Sequence, residues 1–94
     1  MRILIVDDEE LIRKGLKKII QRLGTAYEVM GEAATGKAAL ELIAAETPDL
    51  VITDIKMPEL DGVALIKQLT QRFPQIKKVV LSGFDEFQLV RETL

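Results

Sequence analysis

Short unbroken apolar runs alternate along this chain with longer segments whose apolar residues recur every three or four positions. Ile3-Leu4-Ile5-Val6 is β-branched and bounded by acids, as expected of a strand buried on both faces. Leu11 or Ile12, Leu16, Ile19, Ile20 and Leu23 then recur at helical spacing, with Lys14, Lys17 and Lys18 between them. That spacing predicts an amphipathic helix ending near Gly24. Tyr27, Val29, Gly31 and Ala33 alternate with Glu28, Met30 and Glu32, the pattern of a less buried strand. Ala39, Leu40, Leu42 and Ile43 predict a second helix, stopped before Pro48. Leu50-Val51-Ile52 is another buried strand, ending at Asp54, and Asp61-Gly62 opens a third helix with Leu65, Ile66, Leu69 and Phe73 inward. Val79-Val80-Leu81 reads as a fourth strand ending at Ser82-Gly83, and Phe87, Val90 and Leu94 point to a fourth helix.

Strand and helix therefore alternate throughout. Short connections and right-handed crossovers turn such a chain into a parallel sheet with helices on both faces. The expected fold is α/β and doubly wound, one domain over residues 1–94. Chemistry in such folds lies beyond the carboxyl ends of the strands, where strand order switches. There the first strand offers Asp7-Asp8-Glu9 and the second Ala34-Thr35-Gly36. The third offers Thr53-Asp54-Ile55-Lys56-Met57-Pro58, and the fourth Ser82-Gly83.

Composition narrows the chemistry. The 94 residues contain no Cys and no His. This excludes disulfides, thiol nucleophiles, histidine-ligated metals and a Ser-His-Asp triad. A metal would have to be held by oxygen, which favours a hard cation such as Mg²⁺. Thirteen basic and fifteen acidic residues give a net charge of −2, against nucleic-acid binding by bulk charge. No apolar stretch approaches the ~20 residues of a membrane span. The opening apolar run meets Asp7-Asp8-Glu9-Glu10 at once rather than a cleavage site, so the expected location is the cytoplasm, with no membrane partner.

If the first and third strands are neighbours, Asp7, Asp8 and Asp54 converge, and like charges raise one another's pKa unless a cation intervenes. Mg²⁺ suits such a site because it takes a few carboxylates and binds phosphate oxygens. A carboxylate beside it can attack phosphorus to form an aspartyl phosphate, and Ser82 could donate to a phosphoryl oxygen. Each feature alone has a plainer explanation. Residues 7–10 could cap the first helix, Asp54 could be a turn residue, and Thr35 and Asp61 suit N-caps. Lys14, Lys17, Lys18 and Arg22 suit a solvated helix face, and Lys77-Lys78 an edge-protecting pair. Acids ending two strands and a hydroxyl ending another favour the functional reading.

Ile3-Leu4-Ile5-Val6-Asp7-Asp8-Glu9, Pro48-Asp49-Leu50-Val51-Ile52-Thr53-Asp54-Ile55-Lys56-Met57-Pro58, Asp61-Gly62 and Leu81-Ser82-Gly83 together closely resemble receiver domains of two-component response regulators. The resemblance runs the length of the chain. It implies a flavodoxin-like (CheY-like) sheet of strand order 2-1-3-4-5, of which this sequence reaches 2-1-3-4. It implies Asp54 as phosphoacceptor and Asp7 and Asp8 as the acidic pair. Mg²⁺ would be held by Asp8, Asp54 and the backbone carbonyl of Lys56, within the pocket that Asp7 also lines. Ser82 would be the hydroxyl contacting the phosphoryl group, and a sensor histidine kinase the donor. Ile12-Arg13-Lys14-Gly15-Leu16, Gly31-Glu32-Ala33 and Leu81-Ser82-Gly83-Phe84-Asp85-Glu86-Phe87 look like receivers joined to an AraC-type helix-turn-helix output domain. DNA would then be bound only through that output domain.

Such receivers continue for a fifth strand, bearing a lysine, and a fifth helix; this sequence stops at Leu94. It reads as a truncated receiver, expected to self-associate through the open edge of its fourth strand or to fold marginally. The alternative is a Mg²⁺-dependent aspartyl-phosphate phosphohydrolase of haloacid dehalogenase type. Those enzymes usually carry Asp-x-Asp after the first strand, where this chain has Asp7-Asp8 contiguous. A nucleotide- or flavin-binding module would need a Gly-rich loop where Asp-Asp-Glu-Glu stands.

Overall fold

The computed structural model describes residues 1–55 and 60–81. The chain runs β1 (Arg2–Val6), α1 (Glu10–Arg22), β2 (Glu28–Ala33), α2 (Gly36–Ala45), β3 (Leu50–Asp54), α3 (Gly62–Arg72) and β4 (Lys77–Leu81). The four strands form one parallel sheet of order β2-β1-β3-β4. This is the predicted order. The predicted fourth helix lies outside the described residues.

Alternating side chains on the central strands feed two cores, which is why their apolar runs are continuous. Ile3, Ile5, Leu50 and Ile52 meet Leu16 and Ile20 of α1 on one face. Leu4, Val6 and Val51 meet Ala39 and Ile43 of α2 and Leu65 and Leu69 of α3 on the other. Ile3, Leu4, Ile5, Val51 and Ile52 have no exposed surface, each worth ~1.5–3 kcal/mol of burial. At the start of α1 the alternatives separate: Leu11 is 81% exposed, while Ile12 packs on the α1 core.

The helix ends follow local chemistry. Gly24 has φ +108°, the left-handed turn that ends α1 and favours glycine. The Thr35 hydroxyl accepts from the N–H of Ala38 at 3.0 Å, and Asp61 Oδ1 accepts from that of Ala64 at 2.8 Å. Both are N-caps, as predicted.

The regular alternation predicted for β2 is not what forms. Ile3 pairs with Val29 but Leu4 with Gly31, so the register skips Met30. An extra residue in one strand reverses the faces of those beyond it. Tyr27 and Val29 accordingly pack on the α1 side, whereas Ala33 joins the α2–α3 core. The reversal turns Glu32 towards α1. β4 also begins earlier than its apolar run. Lys77 and Lys78 pair with Leu50 and Val51, and the N–H of Lys77 donates to the carbonyl of Asp49 at 2.9 Å. The two lysines are thus part of the strand rather than upstream of it.

Gly62 allows α3 to start against the end of β3. A Cβ there would lie 2.0 Å from the carbonyl oxygen of Asp54. Gly31 is different, since a Cβ would meet Leu4 and Leu42 side chains at 3.8 and 3.9 Å, ordinary contact. Gly62→Ala should therefore destabilise the domain by ~1–3 kcal/mol or more. Gly31→Ala should be neutral or stabilise it by up to ~1 kcal/mol. Urea unfolding of both variants checks the contrast.

Candidate functional site

The site is built by the ends of β1 and β3. These strands pair in register, Val6 opposite Thr53, so the residues that follow Val6 arrive beside Asp54. The N–H of Asp7 continues the ladder to β2 by donating to the carbonyl of Ala33 at 3.0 Å. On the far side, the N–H of Ile55 donates to the carbonyl of Leu81 in β4 at 3.0 Å. Backbone bonding thus carries both strand ends past the sheet proper.

Asp7, Asp8 and Asp54 each present a carboxylate oxygen, all within 4.8 Å of one another. Asp7 is 3% exposed, Asp54 is half-buried and Asp8 is exposed. Asp7 does not cap α1. The cap residue is Glu9, whose side chain makes no capping bond, and Asp7 Oδ1 instead accepts from the N–H of Glu9 at 2.8 Å. Asp54 Oδ1 accepts from the N–H of Ile55 at 2.8 Å. The buried hydroxyl of Thr53 donates to the Asp54 carbonyl at 3.0 Å.

Burial pushes the Asp7 carboxyl up from an ordinary 3.8 to about 6. The Glu9 N–H opposes the shift, and the charges of Asp54, Asp8 and Glu9 add to it. A buried carboxylate surrounded by acids is a poor anion unless a cation joins it. An all-oxygen donor set of this kind suits Mg²⁺, which accepts one or two carboxylates and keeps several waters.

Sequence reasoning placed Lys56 and Ser82 in the site; both lie outside the described residues. It named Glu32 within the Gly31-Glu32-Ala33 motif but gave it no partner, and it took Lys17 for part of a solvated helix face. The Glu32 carboxylate accepts from Arg13 Nε at 2.9 Å and from Lys17 Nζ at 3.0 Å, and these two bonds hold its pKa below the ordinary 4.5. Arg13 and Lys17 are one helical turn apart, a spacing that marks a shared helix face. Their partner could not be read off, because it depends on the irregularity at Met30.

Residues 3–94 match the family model described as the response regulator receiver domain. The chain is 40% identical over 93 residues to an uncharacterised transcriptional regulatory protein, YesN, of Bacillus subtilis, covering 99% of this chain and 25% of that protein. It is 41% identical over 93 residues to the chemotaxis protein CheY of Thermotoga maritima, covering 99% of this chain and 76% of that one. Among solved structures, the receiver domain of AraT, a response regulator from Geobacillus stearothermophilus, superposes with a TM-score of 0.80 at 36% identity. That match covers 98% of this chain and 71% of the other. The chain thus spans between 25% and 40% of the length of several transcription-regulator relatives.

The raised Asp7 pKa fixes a sign for stability. At pH 5 the folded state holds a proton on Asp7 that the unfolded state has already lost, and by pH 7 both states have lost it. Stability contributed by that proton is full below about 3.8 and disappears as pH rises through about 6. The whole effect is on the order of 3 kcal/mol. Glu32, shifted downward, acts oppositely and mainly below 4.5, outside this window. Asp7→Asn keeps an acceptor for the Glu9 N–H and removes the titration. It should be more stable than wild type at pH 8 and lose most of the decline between pH 5 and 7, as read by urea midpoints in metal-free buffer.

Proposed function

The chain belongs to the family of response regulator receiver domains, and on that premise we propose that it accepts a phosphoryl group on Asp54 with the help of Mg²⁺. The observation that carries the reading is the convergence of the Asp7, Asp8 and Asp54 carboxylates at adjacent ends of β1 and β3. Receiver domains are signalling modules of two-component systems, so the modified protein rather than a released product is the output.

In this reading an oxygen of Asp54 attacks phosphorus while the bond from phosphorus to its donor breaks. With a sensor histidine kinase as donor, that bond is phosphorus to imidazole nitrogen, and the electron pair leaves with the imidazole. The half-buried Asp54 is open to an incoming group, and its bond from Ile55 N–H leaves one carboxylate oxygen free of that amide. Asp8 and Asp54, with the backbone carbonyl of Lys56, are assigned to the metal, and Asp7 to the same pocket. Bound there, Mg²⁺ would offset the negative charge of the acids and of the phosphoryl oxygens. Ser82 is assigned to the transferred group; it follows Leu81, which pairs with Asp54 across the β3–β4 ladder.

The output proposed is transcriptional. Several relatives are named transcriptional regulatory proteins and extend well beyond the matched length. Neighbours in structure include a two-component transcriptional regulator AraC from Clostridium phytofermentans. A helix-turn-helix output domain controlled by the receiver would then be the part that meets DNA. No described helix is long and apolar enough to cross a membrane, and we place the protein in the cytoplasm.

Acetyl phosphate with Mg²⁺ should add one phosphoryl group to the protein, seen by intact mass. Asp54→Asn should accept none while keeping its circular dichroism spectrum. Undiminished labelling of the variant would remove Asp54 from its role. Steady hydrolysis without a stoichiometric adduct would favour a phosphohydrolase.

A further inference from the structure

The acids of the candidate site sit on a backbone that is itself held by a side chain from outside the cluster. Arg13 Nη1 donates to the carbonyl oxygen of Asp7 at 2.6 Å. This carbonyl belongs to the peptide that joins Asp7 to Asp8, so its orientation sets where both Cα atoms, and hence both carboxylates, stand. The same guanidinium donates through Nε to Glu32 Oε1 at 2.9 Å. Arg13 is only 16% exposed. A guanidinium is planar and its donors are fixed relative to one another. Anchoring Nε on Glu32 in β2 therefore fixes the direction in which Nη1 points.

Lys17 supplies an internal comparison. It sits one turn further along α1 and donates to the other Glu32 oxygen at 3.0 Å, so it braces α1 to β2 as Arg13 does. Among the described residues its side chain bonds to Glu32 and not to the Asp7–Asp8 peptide. Two cations thus share one anchor, but only one of them is bonded to the backbone of the acid pair. The skipped residue at Met30 makes this possible by turning Glu32 under α1.

We propose that Arg13, anchored by Glu32, is a positioning residue that holds the Asp7–Asp8 peptide so that the two carboxylates face Asp54. The proposal rests on reading the cluster as a Mg²⁺ site, but its geometric content does not require the metal. The N–H of Glu9 bonds to Asp7 Oδ1 at 2.8 Å, and its hydrogen exchange reports whether Asp7 keeps its place. Groups that orient metal ligands typically change affinity by ~10–100-fold when removed.

The test compares Arg13→Ala, Arg13→Lys and Lys17→Ala with wild type. Two readouts are used, Mg²⁺ titration by calorimetry and exchange of the Glu9 amide by NMR without metal. Arg13→Ala should weaken Mg²⁺ binding by about 10-fold and speed Glu9 exchange by a similar factor. Arg13→Lys keeps the charge and can reach Glu32, but has no second fixed arm. It should hold its fold while showing the same two losses. Lys17→Ala removes a bond to the same carboxylate and should leave both readouts within about 2-fold of wild type. Wild-type behaviour of both Arg13 variants would overturn the proposal, as would equal losses in Lys17→Ala. If wild type binds no Mg²⁺, the metal reading fails and the Glu9 amide decides alone. Faster exchange confined to the Arg13 variants then upholds the positioning role, and unchanged exchange refutes it.

Discussion

Parallel pairing of β1 with β3, Val6 opposite Thr53, is the constraint on which the rest of the site depends. It brings two strand ends to the same level, and each end carries acid. The consequence is three carboxylates within 4.8 Å, with Asp7 buried and its pKa pushed up to about 6. A fold selected only for stability would not gather such charges. Burial of the Asp7 carboxyl, with the neighbouring charges adding to it, opposes folding at neutral pH, and the continuous apolar packing on both faces of β1 and β3 must offset it. The three carboxylates form a donor set that could hold a metal ion.

The surrounding structure limits how far these acids can move apart. β2 holds Asp7 through the Ala33 carbonyl, and β4 holds Ile55 through the Leu81 carbonyl. Gly62 lets the start of α3 press on the carbonyl of Asp54, with its own N–H on the Ile55 carbonyl at 3.0 Å. Among the described residues, β2, β4 and α3 thus all contact the backbone of the cluster.

Much of this was legible beforehand because continuous apolar strands and periodic helices leave strong patterns. The caps at Thr35 and Asp61 were readable for the same reason: a short polar side chain before an apolar helix has few other uses. Strand order was different. Alternation of elements implies a parallel sheet, but only the resemblance of the strand-end motifs to receivers supplied the order, and the convergence of Asp7, Asp8 and Asp54 follows from it. The face reversal in β2 had one sign, Gly31 beside Met30, since an isolated Gly within a strand can mark a bulge, but the even alternation of Tyr27, Val29, Gly31 and Ala33 concealed it. Missing it hid the partner of Arg13 and Lys17. The start of β4 at Lys77 was hidden because an edge-protecting lysine pair fits ahead of a strand as well as within it. Leu11 and Ile12 fit the helical period equally well, and only the angle of α1 on the sheet decides between them.

The central claim is that the ends of β1 and β3 form one divalent-cation site. Mn²⁺ favours the same all-oxygen octahedral surroundings as Mg²⁺ and broadens the NMR signals of nearby nuclei. Titrated at substoichiometric levels, it should first erase the amide signals of Asp7, Asp8, Glu9, Asp54 and Ile55. Those of Ile3, Leu50 and Lys78, at the opposite ends of the strands, should stay sharp, and excess Mg²⁺ should restore the lost signals. Broadening spread over the other exposed acids, or an unchanged pattern in Asp8→Ala, would contradict the account.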